Sequence, residues 1–271
     1  MCVHPRSSAV SKEVTMPDQP WKTAITDVSG GNIVVRGYDI ADLMEHSSFA
    51  EVVYLILKGE LPNGKQRRMM EAMLVSSIDH GPTPPSNLAA RTVFSGGNPL
   101  NAAVAAGVLT IGDSHGGAIE QCARILQEWT KKEGSPLQLA QQLVMEFKEK
   151  GKRMPGYGHR IHKRDPRTVK LLEIAEQIGY KGRIIELAVA IQDELERTSG
   201  KDLPLNVDGA IAAVSSEMGF DWRLGKGFFI ISRVPGLVAH VFEEWTREKT
   251  MRRMGPPPYE YDGPTPRQMN P

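Results

Sequence analysis

Four short loops hold most of the residues that could do chemistry. They are "IDHGP" around His80, "GDSHGGA" with Asp113 and His115, "GYGHRIHKRDPR" with His159, Arg160, His162, Lys163, Arg164 and Arg167, and "LNVDG" with Asn206 and Asp208. Imidazoles exchange protons near neutral pH. Guanidinium groups match carboxylates with a planar fork of donors. Glycine flanks three of the histidines and follows Asp208, which lets backbone approach a ligand closely. Together these loops suit acid–base chemistry on a small anion.

Taken one at a time, the same residues have plainer readings. A lone loop histidine is usually solvated, and His46 and His162 are read that way. His159 and His162 have no cysteine or acid at metal-ligand spacing, so no metal is expected. Gly156-Tyr157-Gly158 is too short for a dinucleotide fingerprint, and no strand precedes it. Asp208 by itself reads as the N-cap of a helix over "GAIAAVSSEMG". Arg233 alone reads as a buried ion-pair partner.

The elements around these loops are helical. Ser48 and Glu51 form a capping-box pattern for a helix that closes at Gly59. Ser135-Pro136 and Asp165-Pro166 open two more, which stop at Gly151 and Gly179. "NPLNAAVAAGVLTIG" is apolar on nearly all sides and is expected to be buried. "GFFIISRVPGLVAHVF" is broken by Arg233 and Pro235, so it reads as a buried helix pair rather than a membrane span. About nine helices result. Only "GNIVVRGYD" suggests strand, within a hairpin. Residues 1–22 read as a flexible tail, and "GPPPYEYDGPTPRQMNP" as an extended arm.

Bulk properties exclude several classes. With 271 residues there is enough chain for a sizeable core. The formal net charge of +1 and an aromatic content of 6% argue against a nucleic-acid surface. The two cysteines, Cys2 and Cys122, make no disulfide or metal framework, and no secretory or membrane-spanning segment is legible. A soluble cytoplasmic protein is expected.

"VVRGYDIADLMEHSSFAEVVYLILKGELP", the "GGA" after His115, "GYGHR…DPR", "NVDG" and "ISRVPGLVAH" resemble, in order, motifs of the citrate synthase family. Within it the chain is most similar to the members that cleave citryl-CoA. The resemblance implies an all-α, two-domain helical fold with at most a short N-terminal hairpin. Residues 23–118 with 235–271 would form the large domain and its C-terminal arm, and 119–234 the small one. It also implies a homodimer, with CoA thioester and keto-acid substrates. Coenzyme A would be present as part of the substrate, and no cofactor would be held permanently.

The same resemblance assigns roles. His115, His159 and Asp208 would be catalytic. His80, Arg167 and Arg233 would hold substrate carboxylates. Gly156, Tyr157 and Gly158 would run along CoA, with Lys163 and Lys201 near its phosphates. The reaction implied is a retro-Claisen cleavage of citryl-CoA to acetyl-CoA and oxaloacetate. The alternatives are condensation of citrate synthase or 2-methylcitrate synthase type, and a CoA-ester-binding regulatory subunit without turnover. One departure stands out: Pro258 occupies the place of an arginine that, in citrate synthases, reaches the neighbouring subunit's site.

Overall fold

A computed structural model describes residues 22–158, 165–252 and 260–269. His159, Lys163, Pro258, Cys2 and all but the last residue of the expected 1–22 tail lie outside them. Contacts divide the chain into two units, Met1–Leu61 and Pro62–Pro271.

In the first unit, the expected hairpin is a three-stranded antiparallel meander: β1 (Thr26–Asp27), β2 (Val34–Val35) and β3 (Tyr38–Asp39). Arg36 and Gly37, at φ 50° and 89°, make the tight turn between β2 and β3. The Arg36 guanidinium reaches the Ile56 carbonyl at 2.7 Å and the Ala24 carbonyl at 3.1 Å, and these ties hold the positive φ in place. Asp39 caps a short helix that the sequence pattern did not reveal, α1 (Ile40–His46). The reciprocal Ser48–Glu51 box opens α2 (Phe49–Lys58), and Gly59 closes it in the left-handed region. Val35, Leu43 and Leu55 form this unit's core, with Ile40, Val52 and Ile56 packed on it.

The second unit is helical: α3 (Gly64–Ser76), α4 (Pro85–Ser95), α5 (Leu100–Leu109), α6 (Ala118–Trp129), α7 (Pro136–Glu149), α8 (Pro166–Gln177), α9 (Arg183–Ser199), α10 (Val207–Glu217), a 3-10 turn at Trp222–Leu224, and α11 (Gly225–Arg247). Like α1, α4 had no clear signal, because Pro84-Pro85 looks like loop and no side chain caps the helix. α10 lies against α6 and α9. It is buried from Gly209 to Ser216, and its small residues let both neighbours come close.

Two expectations fail here. α11 runs unbroken through Pro235 instead of splitting into a pair. Proline removes one helical donor, but the turns on both sides are tied down. Ser232 donates to the Leu74 carbonyl, Arg233 Nε donates to the Ser77 carbonyl at 3.1 Å, and Leu237 and Val241 join Ala90 and Ala103 in a core shared with α4 and α5. The second failure is α5, where only Ala103 and Gly107 are buried and Leu109 is 85% exposed. A single chain covers one side of this helix only. Among the described residues no helix is long and apolar enough to cross a membrane. The helical fold class holds throughout.

Candidate active site

The site lies within the second unit and is built around the start of α10. Asn206 is the cap of this helix: its side chain accepts from Gly209 N at 3.1 Å. Asp208 therefore does not cap. It sits in the first turn, and its carboxyl is available for another task. This overturns the plainer reading of Asp208 as the N-cap.

Asn206 also ties the helix start to the Gly-Tyr-Gly loop. Its side chain donates to the Gly158 carbonyl at 3.0 Å and its backbone N–H to the Gly156 carbonyl at 3.0 Å, while Gly158 N donates to the Pro204 carbonyl at 2.7 Å. Gly209 lies so near this loop that an added Cβ would stand 2.4 Å from the Gly156 carbonyl oxygen. That contact explains why glycine follows Asp208. The Tyr157 hydroxyl points inward and donates to the Ala188 carbonyl at 2.8 Å. Burial pushes its pKa far above the ordinary range, so Tyr157 offers its backbone rather than its phenol.

Burial raises the Asp208 carboxyl from the usual 3.8 to about 6, even though Arg167 and Arg233 pull it down. A carboxyl so placed carries a proton in mildly acidic solution and gives it up near neutrality. His115 moves the other way. Burial, and then the positive fields of Arg233 and His80, lower its proton affinity and keep the imidazole neutral. Its Nε2 is 2.8 Å from Ser86 Oγ, and its ring meets Phe229 edge-on at 5.5 Å.

Arg233 is 2% exposed. Its guanidinium lies 4.7 Å from the Phe229 ring centre, and Nη1 is buried with no hydrogen-bond partner among the described residues. Arg167 is held by Asp165 through two bonds, Nε to Oδ1 at 3.0 Å and Nη2 to Oδ2 at 2.8 Å. These use two of its five N–H donors. A cavity of about 700 Å³ opens between α3 and α8, with Arg68, Asp79, Arg167 and Lys170 on its wall. Among the described residues on its wall, Arg167 and Asp79 connect it to this cluster, and His115 and Asp208 do not line it.

Of the residues singled out from the sequence, His80, His115, Arg167, Asp208 and Arg233 fall within one electrostatic neighbourhood. Gly156, Tyr157 and Gly158 border it through α10. Lys201 is exposed, on the loop between α9 and Asn206. His159 and Lys163 lie outside the described residues. Sequence reasoning missed Ser86, Asp165 and Phe229 as neighbours of the site. Asp165 was visible only as a cap, which it also is, and nothing in "PPSNLAAR" marked Ser86. Among the described residues no group of three or more His, Cys, Asp or Glu is placed to hold a metal.

The model of the citrate synthase C-terminal domain matches residues 19–72 and 63–254. The structure of citryl-CoA lyase from Hydrogenobacter thermophilus superposes with a TM-score of 0.87 at 52% identity, covering 93% of this chain and 98% of that one. Citrate synthase 2 of Bacillus subtilis (strain 168) is 28% identical over 84% of this chain, which spans 60% of its length. ATP citrate lyase from Methanothrix soehngenii shares the fold, with a TM-score of 0.79 at 23% identity over 98% of this chain and 46% of its own. The family model covers far more than half of the sequence, and the chain belongs to the citrate synthase family.

Proposed function

We propose that this protein cleaves citryl-CoA to acetyl-CoA and oxaloacetate. The observation that carries the reading is the pairing of Asp208, whose proton affinity burial raises, with His115, whose proton affinity burial lowers, beside the buried Arg233 fork. The likeness to a citryl-CoA lyase at 52% identity along nearly its whole length selects the substrate.

In this reaction the bond between the carbinol carbon and the acetyl methylene breaks. The hydroxyl proton leaves as the ketone of oxaloacetate forms; by family resemblance His159, directly or through a water, takes it. The electron pair moves onto the thioester as an enolate or enol. His115, uncharged and so able to act as a hydrogen-bond donor without giving up a formal charge, steadies the thioester oxygen. Asp208 delivers its proton to the methylene carbon and leaves acetyl-CoA. Arg233, Arg167 and His80 hold the carboxylates, and the unpartnered Nη1 of Arg233 suits that task. The Gly156–Gly158 backbone would follow CoA, with Lys163 and Lys201 near its phosphates. Closure of 119–234 against 23–118 with 235–271 would shut out water. Because Asp208 titrates at about 6, its carboxylate is also available near neutrality, which favours reversal to condensation as the second reading.

Purified protein given citryl-CoA is expected to produce oxaloacetate, read as NADH oxidation through malate dehydrogenase. Citrate and free thiol without oxaloacetate would assign the condensing or hydrolysing role instead. Absence of turnover at micromolar protein would leave only a CoA-ester-binding subunit.

The reading includes a cytoplasmic homodimer. Leu109 on α5 and Phe242 on α11, 85% and 61% exposed, lie outward from the core that α4, α5 and α11 share. An isologous pair would cover exposed apolar side chains such as these. Light scattering is expected to give twice the 29.9 kDa chain mass, and a monomer at micromolar concentration would refute the pairing.

A further inference from the structure

The segment that carries His80 is fastened to α11 by contacts the chemistry above leaves unused. Arg233, Gly236 and His240 follow one another on α11 at spacings of three and four, which place them on one face. Arg233 Nε donates to the Ser77 carbonyl at 3.1 Å. Gly236 lies flat against the next peptide: a Cβ there would stand 2.4 Å from the Ile78 carbonyl oxygen and 3.1 Å from Asp79 Oδ1. Only glycine lets the turn come this close. His240 Nε2 is 3.1 Å from Asp79 Oδ1. An ionised carboxylate only accepts, so Nε2 carries the hydrogen and the imidazole donates.

Asp79 collects other donors as well. Gly81 N reaches Oδ2 at 2.8 Å and Asn87 Nδ2 reaches Oδ1 at 3.0 Å. The backbone N–H of His80 also points at this carboxylate. Asn87 donates in addition to the Gly81 carbonyl at 2.6 Å. Burial works against the charge on Asp79, yet these hydrogen bonds and that from His240 outweigh it and hold the carboxyl below its ordinary range. One carboxylate thus joins α11, the start of α4 and both backbone amides at His80. Its charge also faces Arg233. The other nitrogen of His240 lies 3.8 Å from Glu243 Oε2, which is too far for a hydrogen bond.

We propose that His240, acting through Asp79, is a positioning residue that sets the spacing between His80 and the Arg233 fork, and so the fit of the substrate carboxylate between them. The inference rests on the reading that His80 and Arg233 receive that carboxylate. Nothing in it requires His240 to touch substrate.

The test is the dissociation constant for oxaloacetate, measured by calorimetry, with melting temperature recorded alongside. His240→Leu and Asp79→Asn are each expected to weaken oxaloacetate binding about tenfold, the effect of one charge-assisted hydrogen bond, and to leave acetyl-CoA binding unchanged. His240→Gln, which keeps an N–H donor at similar reach, should recover most of the loss. Arg233→Met is the reference. If Arg233→Met weakens binding while His240→Leu and Asp79→Asn do not, the positioning role is wrong and the carboxylate site stands. If Arg233→Met also has no effect, the carboxylate site itself is misassigned and the inference falls with it. A His240→Gln protein as weak as His240→Leu would show that the donor is irrelevant and overturn the proposal. Where His240→Leu does not fold, Asp79→Asn decides the question alone, because it keeps the side chain's shape.

Discussion

Asp208→Asn is expected to slow citryl-CoA cleavage between about 100- and 10,000-fold, the usual worth of a placed general acid, with KM held within about threefold because the loss falls on the transition state. Asparagine has nearly the same shape and cannot release the proton. The wild-type pH profile should carry a matching signature. Cleavage needs the protonated carboxyl, so kcat/KM should fall as pH rises through about 6, the value to which burial lifts Asp208. Condensation needs the carboxylate, so its profile should rise across the same interval. Both limbs should vanish in the variant.

The same substitution has a stability counterpart of opposite sign. Well below pH 3.8, Asp208 is protonated whether the chain is folded or not. Between 3.8 and about 6 the unfolded chain releases the proton and the folded one keeps it. The folded state then binds more protons, and stability declines as pH rises across that window. Above about 6 the whole penalty remains, at most about 3 kcal/mol. Asp208→Asn carries no such penalty and should melt higher than wild type above pH 6, with the gain fading toward pH 4. A variant with wild-type turnover, or one that melts lower at neutral pH, would remove Asp208 from the proposed chemistry.

The second large effect is at His115. His115→Ala should lower kcat and kcat/KM together by about 100- to 1000-fold, as the loss of one donor to a developing oxyanion does. The contact to Ser86 bears on how the donor works. If the Ser86 hydroxyl donates to Nε2 across 2.8 Å, the neutral ring carries its hydrogen on Nδ1 and can present it to the thioester oxygen. Because burial, then Arg233 and His80, lower its proton affinity, His115 should add no ionisation above the ordinary histidine range. A variant with raised KM and unchanged kcat would mean that His115 binds the ground state and does not stabilise the enolate.

These expectations draw on two kinds of information. What the sequence determined by itself was local. Ser48 with Glu51, Ser135 with Pro136 and Asp165 with Pro166 start their helices where they stand in the chain, because a cap is made by groups two or three residues apart. The chemistry-bearing loops were legible for the same reason: glycine, histidine and acid lie side by side in them. α1 and α4 escaped notice because one is a single seven-residue stretch and the other begins at a proline pair with no capping side chain.

Only the tertiary structure decided the rest. It gave the cap of α10 to Asn206 because the Gly-Tyr-Gly loop packs there and takes that side chain's second bond. It carried α11 through Pro235 because contacts from α3, α4 and α5 on both sides outweigh one missing donor. It left the outer face of α5 uncovered, which composition alone marked as core. It also set Asp208 beside Arg167 and Arg233 and brought His115 to Ser86. A cap or turn closes within a few bonds of chain. The proton affinity of a carboxyl depends on what segments tens of residues away bring against it, and that is settled only when they pack.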